Sequence, residues 1–447
     1  MRTEGDHVQV SENVFNNLPD WEQNLWRDQR ADFIGPYSWL ADTLAPVLND
    51  EERRRVDPRY KELVDIDGVD YSNSTHMDSP PSLPFVRDYG ESWHRVIEPK
   101  PFARTFGYYL DMIVRNLRAG DHAMAAKGAG MVSHILCDYH PGDHIDPGVW
   151  LRYILPPPEH MQGKLSDCWG VTTQEVDIPR VLYPPRLLGL NATEAMYHFY
   201  QRYLDMMKRG IPRISQMLLA VYAGQPAEAQ RILSQSRLMG IEIISDFLHT
   251  AFCIAYDRFE PSERAALAHA DLTQFTPSVN EMDFCYFYGP YTDAVIDFFA
   301  DGPLRPRKLT PELLVQRPGQ AQPATEVIRP VLAVLPDSGC QTAERWARLV
   351  YELPAGCFRR FTCLAGMPPR LCVDAAKGLR GRVGVQVRGD DRTLFEKSPV
   401  NGGDCAFEID VPIEGLQRLE LVVRALHRVG EEFWLGHFVW GRPTLHK

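Results

Sequence analysis

The segment 131–146 reads MVSHILCDYHPGDHID and crowds His134, Asp138, His140, Asp143 and His144 into one short stretch. It begins apolar, so these polar groups arrive on a segment that would otherwise be buried. If residues 123–139 are helical, His134 and Asp138 lie one turn apart on the same face. Pro141-Gly142 stops that helix, and His144 follows on a loop that can fold back over the face. An imidazole, a carboxylate and an imidazole held by a rigid helix and a fixed loop suit a divalent metal, zinc first. The competing expectation is a polar network at a helix end, with His134 a hydrogen-bonded core histidine.

The elements around this stretch must hold it in place. FARTFGYYLDMIVRNLRAG carries apolar residues at helical spacing and ends on glycine. HAMAAKGAGMVSHILCDYH follows it; Gly128 and Gly130 cost helix stability and allow another element to approach closely. ATEAMYHFYQRYLDMMKRG offers Thr193 as an N-cap. AEAQRILSQSRLMGIEIISDFLHTAFCIAYDRF reads as one long helix or a kinked pair, with His249 facing the core. Proline-containing loops at 72–87, 141–160 and 170–190 separate these helices, and loops of that length are usually functional.

Residues 301–325 are rich in proline and glutamine and read as a linker. Beyond them the apolar period changes from 3.6 to 2. RVGVQVRGDDRTLFEKS alternates Val383, Val385 and Val387, turns at Gly389-Asp390-Asp391, and returns as a second strand. LQRLELVVRAL, RFTCLAGM, CAFEIDVPI and FWLGHFVWG are further strands, which together suggest a β-sandwich. The expected fold is therefore multidomain: an all-α helical bundle over 1–302, a linker over 303–325, and an all-β sandwich over 326–447.

The chain has 447 residues, 44% hydrophobic and 24% charged, with net charge −11. That charge argues against a broad nucleic-acid-binding face. Nine cysteines without a CxxC pair argue against a disulfide framework or a thiolate zinc finger. No apolar run suggests a transmembrane segment, and MRTEGDHVQV has no apolar signal core. As written, the chain is expected in the cytoplasm, or secreted if a signal was removed.

The His134-x3-Asp138-x5-His144 element resembles the core motif of the zinc-dependent phospholipase C family, shared with the single-strand-specific zinc nucleases. The resemblance spans about residues 5–260. It implies an all-helical fold with two or three zinc ions, ligated by His134, Asp138 and His144, with Asp138 bridging two of them. By order along the chain it also implies His7 in GDHVQVSENVFNNLPDW, Asp42 in YSWLADTL and His76 in STHMDSPP as ligands. Asp138 and Asp42 would be the catalytic carboxylates. For the remaining position His160 lies at a plausible distance but is followed by Lys164 rather than an acid; Asp167, and Glu194 with His198 in reverse order, are the alternatives. The family's N-terminal tryptophan ligand has no counterpart, because the first tryptophan is Trp21.

The C-terminal region resembles the NPCBM-type carbohydrate-binding module over residues 340–447. The matching elements are the strand end at Tyr351–Pro354, the RFT strand, the valine-alternating hairpin ending at Ser398, the leucine-rich strand, and His437 with Trp440. Acidic residues usual around that terminal motif are absent from WLGHFVWG.

Three functional expectations follow. The first is a zinc-dependent hydrolase acting on a phosphodiester or phospholipid, with two metal ions clamping phosphoryl oxygens and a glycan-binding-like sandwich attached. The second is a carbohydrate-directed protein, either a polysaccharide lyase or a binding protein. The third is a non-catalytic scaffold with a degenerate metal site.

Overall fold

The computed structural model describes residues 4–40, 44, 49–64, 66, 99–139, 155–161, 178–282, 295–297, 307–309, 312–334, 346–374, 378–426 and 436–447. The chain divides into two compact units, Met1–Leu267 and Ala268–Lys447. The first is helical and the second is a β-sandwich, as the change of period predicts.

The helices of the first unit are α1 (Glu4–Asn17), α2 (Asp20–Leu25), α3 (Arg30–Ile34), α4 (Asp50–Val56), α5 (Lys61–Val64), α6 (Pro99–Ala119), α7 (His122–Tyr139), α8 (Ala192–Tyr222), α9 (Pro226–Tyr256) and α10 (Pro261–Ala266). A 3-10 turn at Pro36–Ser38 lies between α3 and α4. The long C-terminal segment forms one helix, α9, not a kinked pair. It packs against α1, α6, α7 and α8, and Ile243 through Ile254 are buried without a break. A helix apolar on all sides must be enclosed on all sides. By length and composition α9 would suit a membrane, but 83% of its apolar window is buried inside the unit, as for a soluble core helix. The N-cap of α8 is Asn191, not Thr193: its side chain accepts from Glu194 N at 3.0 Å.

Residues 178–190 form neither helix nor strand. Side chains of two helices satisfy their backbone instead. Gln9, Asn13 and Asn17, four residues apart on α1, accept from the N–H groups of Ile178, Val181 and Tyr183 at 2.9, 3.0 and 3.1 Å. Asp246 and Thr250, four apart on α9, accept from Arg186 and Leu188 at 2.7 and 2.9 Å. The four-residue helical repeat thus supplies a ladder of acceptors to buried donors that must be paired.

In the second unit one antiparallel sheet runs β1 (His269–Asp271), β16 (Phe438–His446), β9 (Arg360–Gly366), β14 (Phe407–Pro412), with β7 (Val331–Val334) also on β16. The other runs β13 (Arg392–Asn401), β12 (Arg382–Gly389), β15 (Arg418–Ala425), β8 (Trp346–Glu352), β2 (Val279–Met282). The predicted alternation sets the register: Val385 faces Val423, and Leu421 faces Leu349, all buried. Asp390 and Asp391 take φ of 44° and 67°, the left-handed pair that a two-residue hairpin needs.

Two expected boundaries move. The second unit begins at residue 268, where the bundle was expected to run to 302 and the sandwich to begin at 326, because β1 pairs with β16 and β2 pairs with β8. Strands of three or four residues carry too few alternations to announce themselves. The segment expected as a linker contains β4 (Arg307–Leu309), paired with β3 (Val295–Asp297), and the β5–β6 hairpin (Glu312–Val315, Ala324–Val327). Leu313 anchors that hairpin, buried with Ile328, Val331 and Val439.

Candidate functional site

Two of the expected ligands meet. His7 on α1 and His134 on α7 are buried, and their rings stack with centroids 4.4 Å apart and planes at 24°. One helical turn along, Ser11 Oγ and Ser133 Oγ lie 2.7 Å apart, so the two helices touch through polar side chains. His134 Nδ1 lies 3.1 Å from the carbonyl of Ser38 in the 3-10 turn. That bond suits an Nδ1–H tautomer, with Nε2 as the acceptor or ligating atom.

Among the described residues no other member of the expected set joins them. Asp138 lies on α7 one turn beyond His134, but its side chain falls outside what the structure describes. Asp42, His76 and His144 lie outside the described residues, as do His140 and Asp143. His160 is exposed beside Gly224, in the turn between α8 and α9, and joins no three-ligand group with His7 and His134 among the described residues.

A second cluster escaped the motif search. His249 on α9 is buried, as expected, but it holds two carboxylates. Its Nδ1 lies 2.6 Å from Glu22 Oε1 and its Nε2 2.7 Å from Glu263 Oε1. Cys253, one turn on, places its thiol 3.8 Å from Nδ1 and 3.6 Å from Nε2. Burial pushes Glu22 up to about 7. Burial alone would lower His249, but the Cys253 thiol and Glu22 outweigh it and bring it to about 11. The signal available in the sequence was the His249-x3-Cys253 spacing on one helix face; the Glu22 partner is 227 residues away and carries none.

In the sandwich, the outer face of the β16–β9–β14 sheet holds a shallow pocket of about 300 Å³ lined by Arg360, Thr362, Leu364, Glu408, Asp410 and Arg442. Strand alternation puts Arg360, Thr362 and Leu364 outward while Phe361 and Ala365 are buried. Arg360 donates two parallel bonds to Asp410, Nε to Oδ1 at 2.6 Å and the second to Oδ2 at 2.5 Å. This pair holds the Asp410 carboxyl below the ordinary range. Beside it His446 Nε2 lies 2.7 Å from Thr362 Oγ1, and burial, then His269, lowers its basicity.

Residues 342–446 match the NPCBM/NEW2 domain. The match lies wholly within the second unit. Within the matched segment Trp440 is fully buried and His437 nearly so, so Trp440 is a core residue and cannot face a ligand; Trp434 lies outside the described residues.

Two solved structures are similar to the chain. One is the CBM51 from Clostridium perfringens GH95 in complex with methyl-galactose, at 17% identity over 40% of this chain and 99% of that chain, TM-score 0.29. The other is the tandem CBM51 modules of the family 98 glycoside hydrolase from Streptococcus pneumoniae SP3-BS71, at 14% identity over 40% of this chain and 47% of that chain, TM-score 0.30. No curated protein sequence matches the chain.

Proposed function

We propose that this chain is a carbohydrate-directed protein whose NPCBM domain binds a glycan. The observation that carries this reading is the NPCBM/NEW2 match over 342–446. The outer-face pocket supplies a place for it. A sugar hydroxyl both donates and accepts, so a bidentate Arg–carboxylate pair flanked by a second acid and a second arginine can engage neighbouring hydroxyls together. The pocket volume suits one or two sugar rings rather than a long chain. The test is a glycan array with the full chain, followed by titration of the best ligand. Arg360→Ala and Asp410→Ala should each weaken binding by roughly tenfold, about 1.4 kcal/mol, with the fold unchanged. Unchanged affinity in both variants would move the site elsewhere on the domain, and absence of any glycan ligand would sink the reading.

A second reading, a zinc-dependent hydrolase of phosphodiester-type bonds in the helical unit, is favoured by the His7–His134 pair. Two buried imidazoles from different helices, one oriented through Nδ1 by a backbone carbonyl, fit the donor set of a metal site. His7 and His134 would hold zinc together with Asp138 and donors from outside the described residues. A bound zinc supplies Lewis acidity and a water of lowered pKa. Elemental analysis of protein purified without chelator checks this: His134→Ala should lose at least one equivalent of zinc relative to the unchanged chain. Equal zinc in both would remove His134 as a ligand and leave a scaffold.

A further inference from the structure

We propose that Glu22, His249 and Cys253 form a zinc site in the core of the helical unit, separate from the His7–His134 pair and from the glycan reading. These are the only three described residues whose potential ligand atoms all lie within 4.8 Å of one another. His249 and Cys253 are one turn apart on α9, the spacing at which a helix chelates a metal with two side chains. Glu22 arrives from α2 and is fully buried.

The distances suit zinc. Bonds of about 2.1 Å to nitrogen and 2.3 Å to sulfur place those atoms about 3.6 Å apart around a tetrahedral ion. Cys253 Sγ lies 3.8 Å from His249 Nδ1 and 3.6 Å from Nε2, so the thiol sits beside the ring and must turn toward Nδ1 to share an ion with it. Glu22 Oε1, 2.6 Å from Nδ1, needs to draw back by a fraction of an ångström to share the ion with it. On the far side of the ring Nε2 donates to Glu263 at 2.7 Å. A carboxylate there fixes the tautomer and raises the basicity of a metal-ligating imidazole. Glu263 is thus a positioning residue, not a ligand.

A second observation points to a ligand. Glu22 Oε2 is buried and accepts no hydrogen bond among the described residues. A carboxylate oxygen left so in the core is costly, and coordination answers it. The ligating forms are the thiolate and the neutral imidazole, so binding one Zn²⁺ displaces the protons on Sγ and Nδ1, and the two charges that enter offset the two that leave. Three protein donors leave a fourth position for a water molecule.

The probe is cobalt(II), loaded into the full chain after removal of metal with a chelator. A thiolate-to-cobalt charge-transfer band in the near ultraviolet is the expected result. It should vanish in Cys253→Ala and persist in His134→Ala, which separates this site from the other pair, since none of that pair's expected ligands is a cysteine. Glu22→Gln keeps the shape and the hydrogen bond to His249 while removing the anionic donor, and Glu263→Gln loosens the ring. Both should fold and bind cobalt about 10–100-fold more weakly. No thiolate band in the folded chain, a band retained in Cys253→Ala, or cobalt affinity unchanged in Glu22→Gln would each overturn the proposal.

Discussion

Replacing Asp246 by alanine is expected to destabilise the helical unit by about 3–5 kcal/mol, the cost of leaving buried partners of a charged group unpaired. The residue is fully buried on α9. Its Oδ1 accepts from Arg186 N at 2.7 Å and from Tyr183 OH at 2.9 Å, and its Oδ2 accepts from Arg202 Nε at 3.1 Å. Alanine strands all three donors and opens a cavity beneath segment 178–190. Thr250, one turn on, would still hold Leu188 N. Loss of anchorage should therefore be centred on residues 183–186. Thermal unfolding should shift down by roughly 10 °C, and amide exchange at Arg186 should speed up more than at Leu188. A change below about 1 kcal/mol would mean that water replaces the carboxylate, and that the segment is not held by this ladder.

The same residue predicts a pH dependence. Burial pushes the Asp246 carboxyl up to about 6, with Arg202 and the Arg186 N–H opposing it. The folded value lies above the ordinary value near 4. Its contribution is thus fully present below about pH 4 and is lost as pH rises through about 6. The stability gap between the unchanged chain and Asp246→Ala should then be wider at about pH 4.5 than at about pH 7.5. Urea midpoints of the two proteins at both values check the sign.

What the sequence reveals of this fold follows from repeat length. A helix such as α9 repeats its pattern over eight turns, and the β12–β13 hairpin alternates long enough to expose both its period and its turn. β1 and β2 have three and four residues. They are defined by partners 177 and about 70 positions away, His446 for His269 and Val350 for Val279. No local pattern encodes such pairings. Segment 178–190 was legible as a long loop, but its anchorage was not, because its hydrogen-bond partners sit on two helices. The polar composition of 303–325 suggested a linker, since a hairpin exposed on most of its surface needs only a residue like Leu313 to dock.

The site is legible in the same uneven way. His7 and His134 are 127 positions apart, yet family order placed both in one set, and the structure stacks their rings. His160, placed by distance along the chain alone, joins no such group. His249 was readable as a core residue from helix periodicity, but its chemistry depends on Glu22 and Glu263, which come from other helices. On the sandwich, Trp440, which strand alternation alone does not assign to a face, lies in the core. The exposed polar face comes instead from charged residues at alternate strand positions, a pattern that any solvated strand shares.

The glycines of α7 give the cleanest measure of how that helix is set against its neighbours. Alanine at Gly128 and at Gly130 brings the same gain in helix propensity, about 1 kcal/mol, so their difference reads the surroundings alone. A Cβ on Gly128 would lie 2.4 Å from Met112 Cε and 2.9 Å from its Sδ, the far end of a flexible side chain that can swing aside. A Cβ on Gly130 would lie 2.7 Å from Tyr37 Cβ, 2.9 Å from Tyr37 C and 3.2 Å from Ser38 N. That neighbour is the 3-10 turn Pro36–Ser38, whose backbone cannot yield without moving as a unit. Gly128→Ala is expected to be neutral or slightly stabilising, and Gly130→Ala to cost about 1–3 kcal/mol from overpacking. The cost carries a local signature, because the displaced turn includes the Ser38 carbonyl that holds His134 Nδ1. Gly130→Ala should therefore shift the His134 ring resonances, while Gly128→Ala should leave them in place. Equal midpoints for the two variants in urea would show that α7 does not press on this turn, and that His134 is held by something other than its carbonyl.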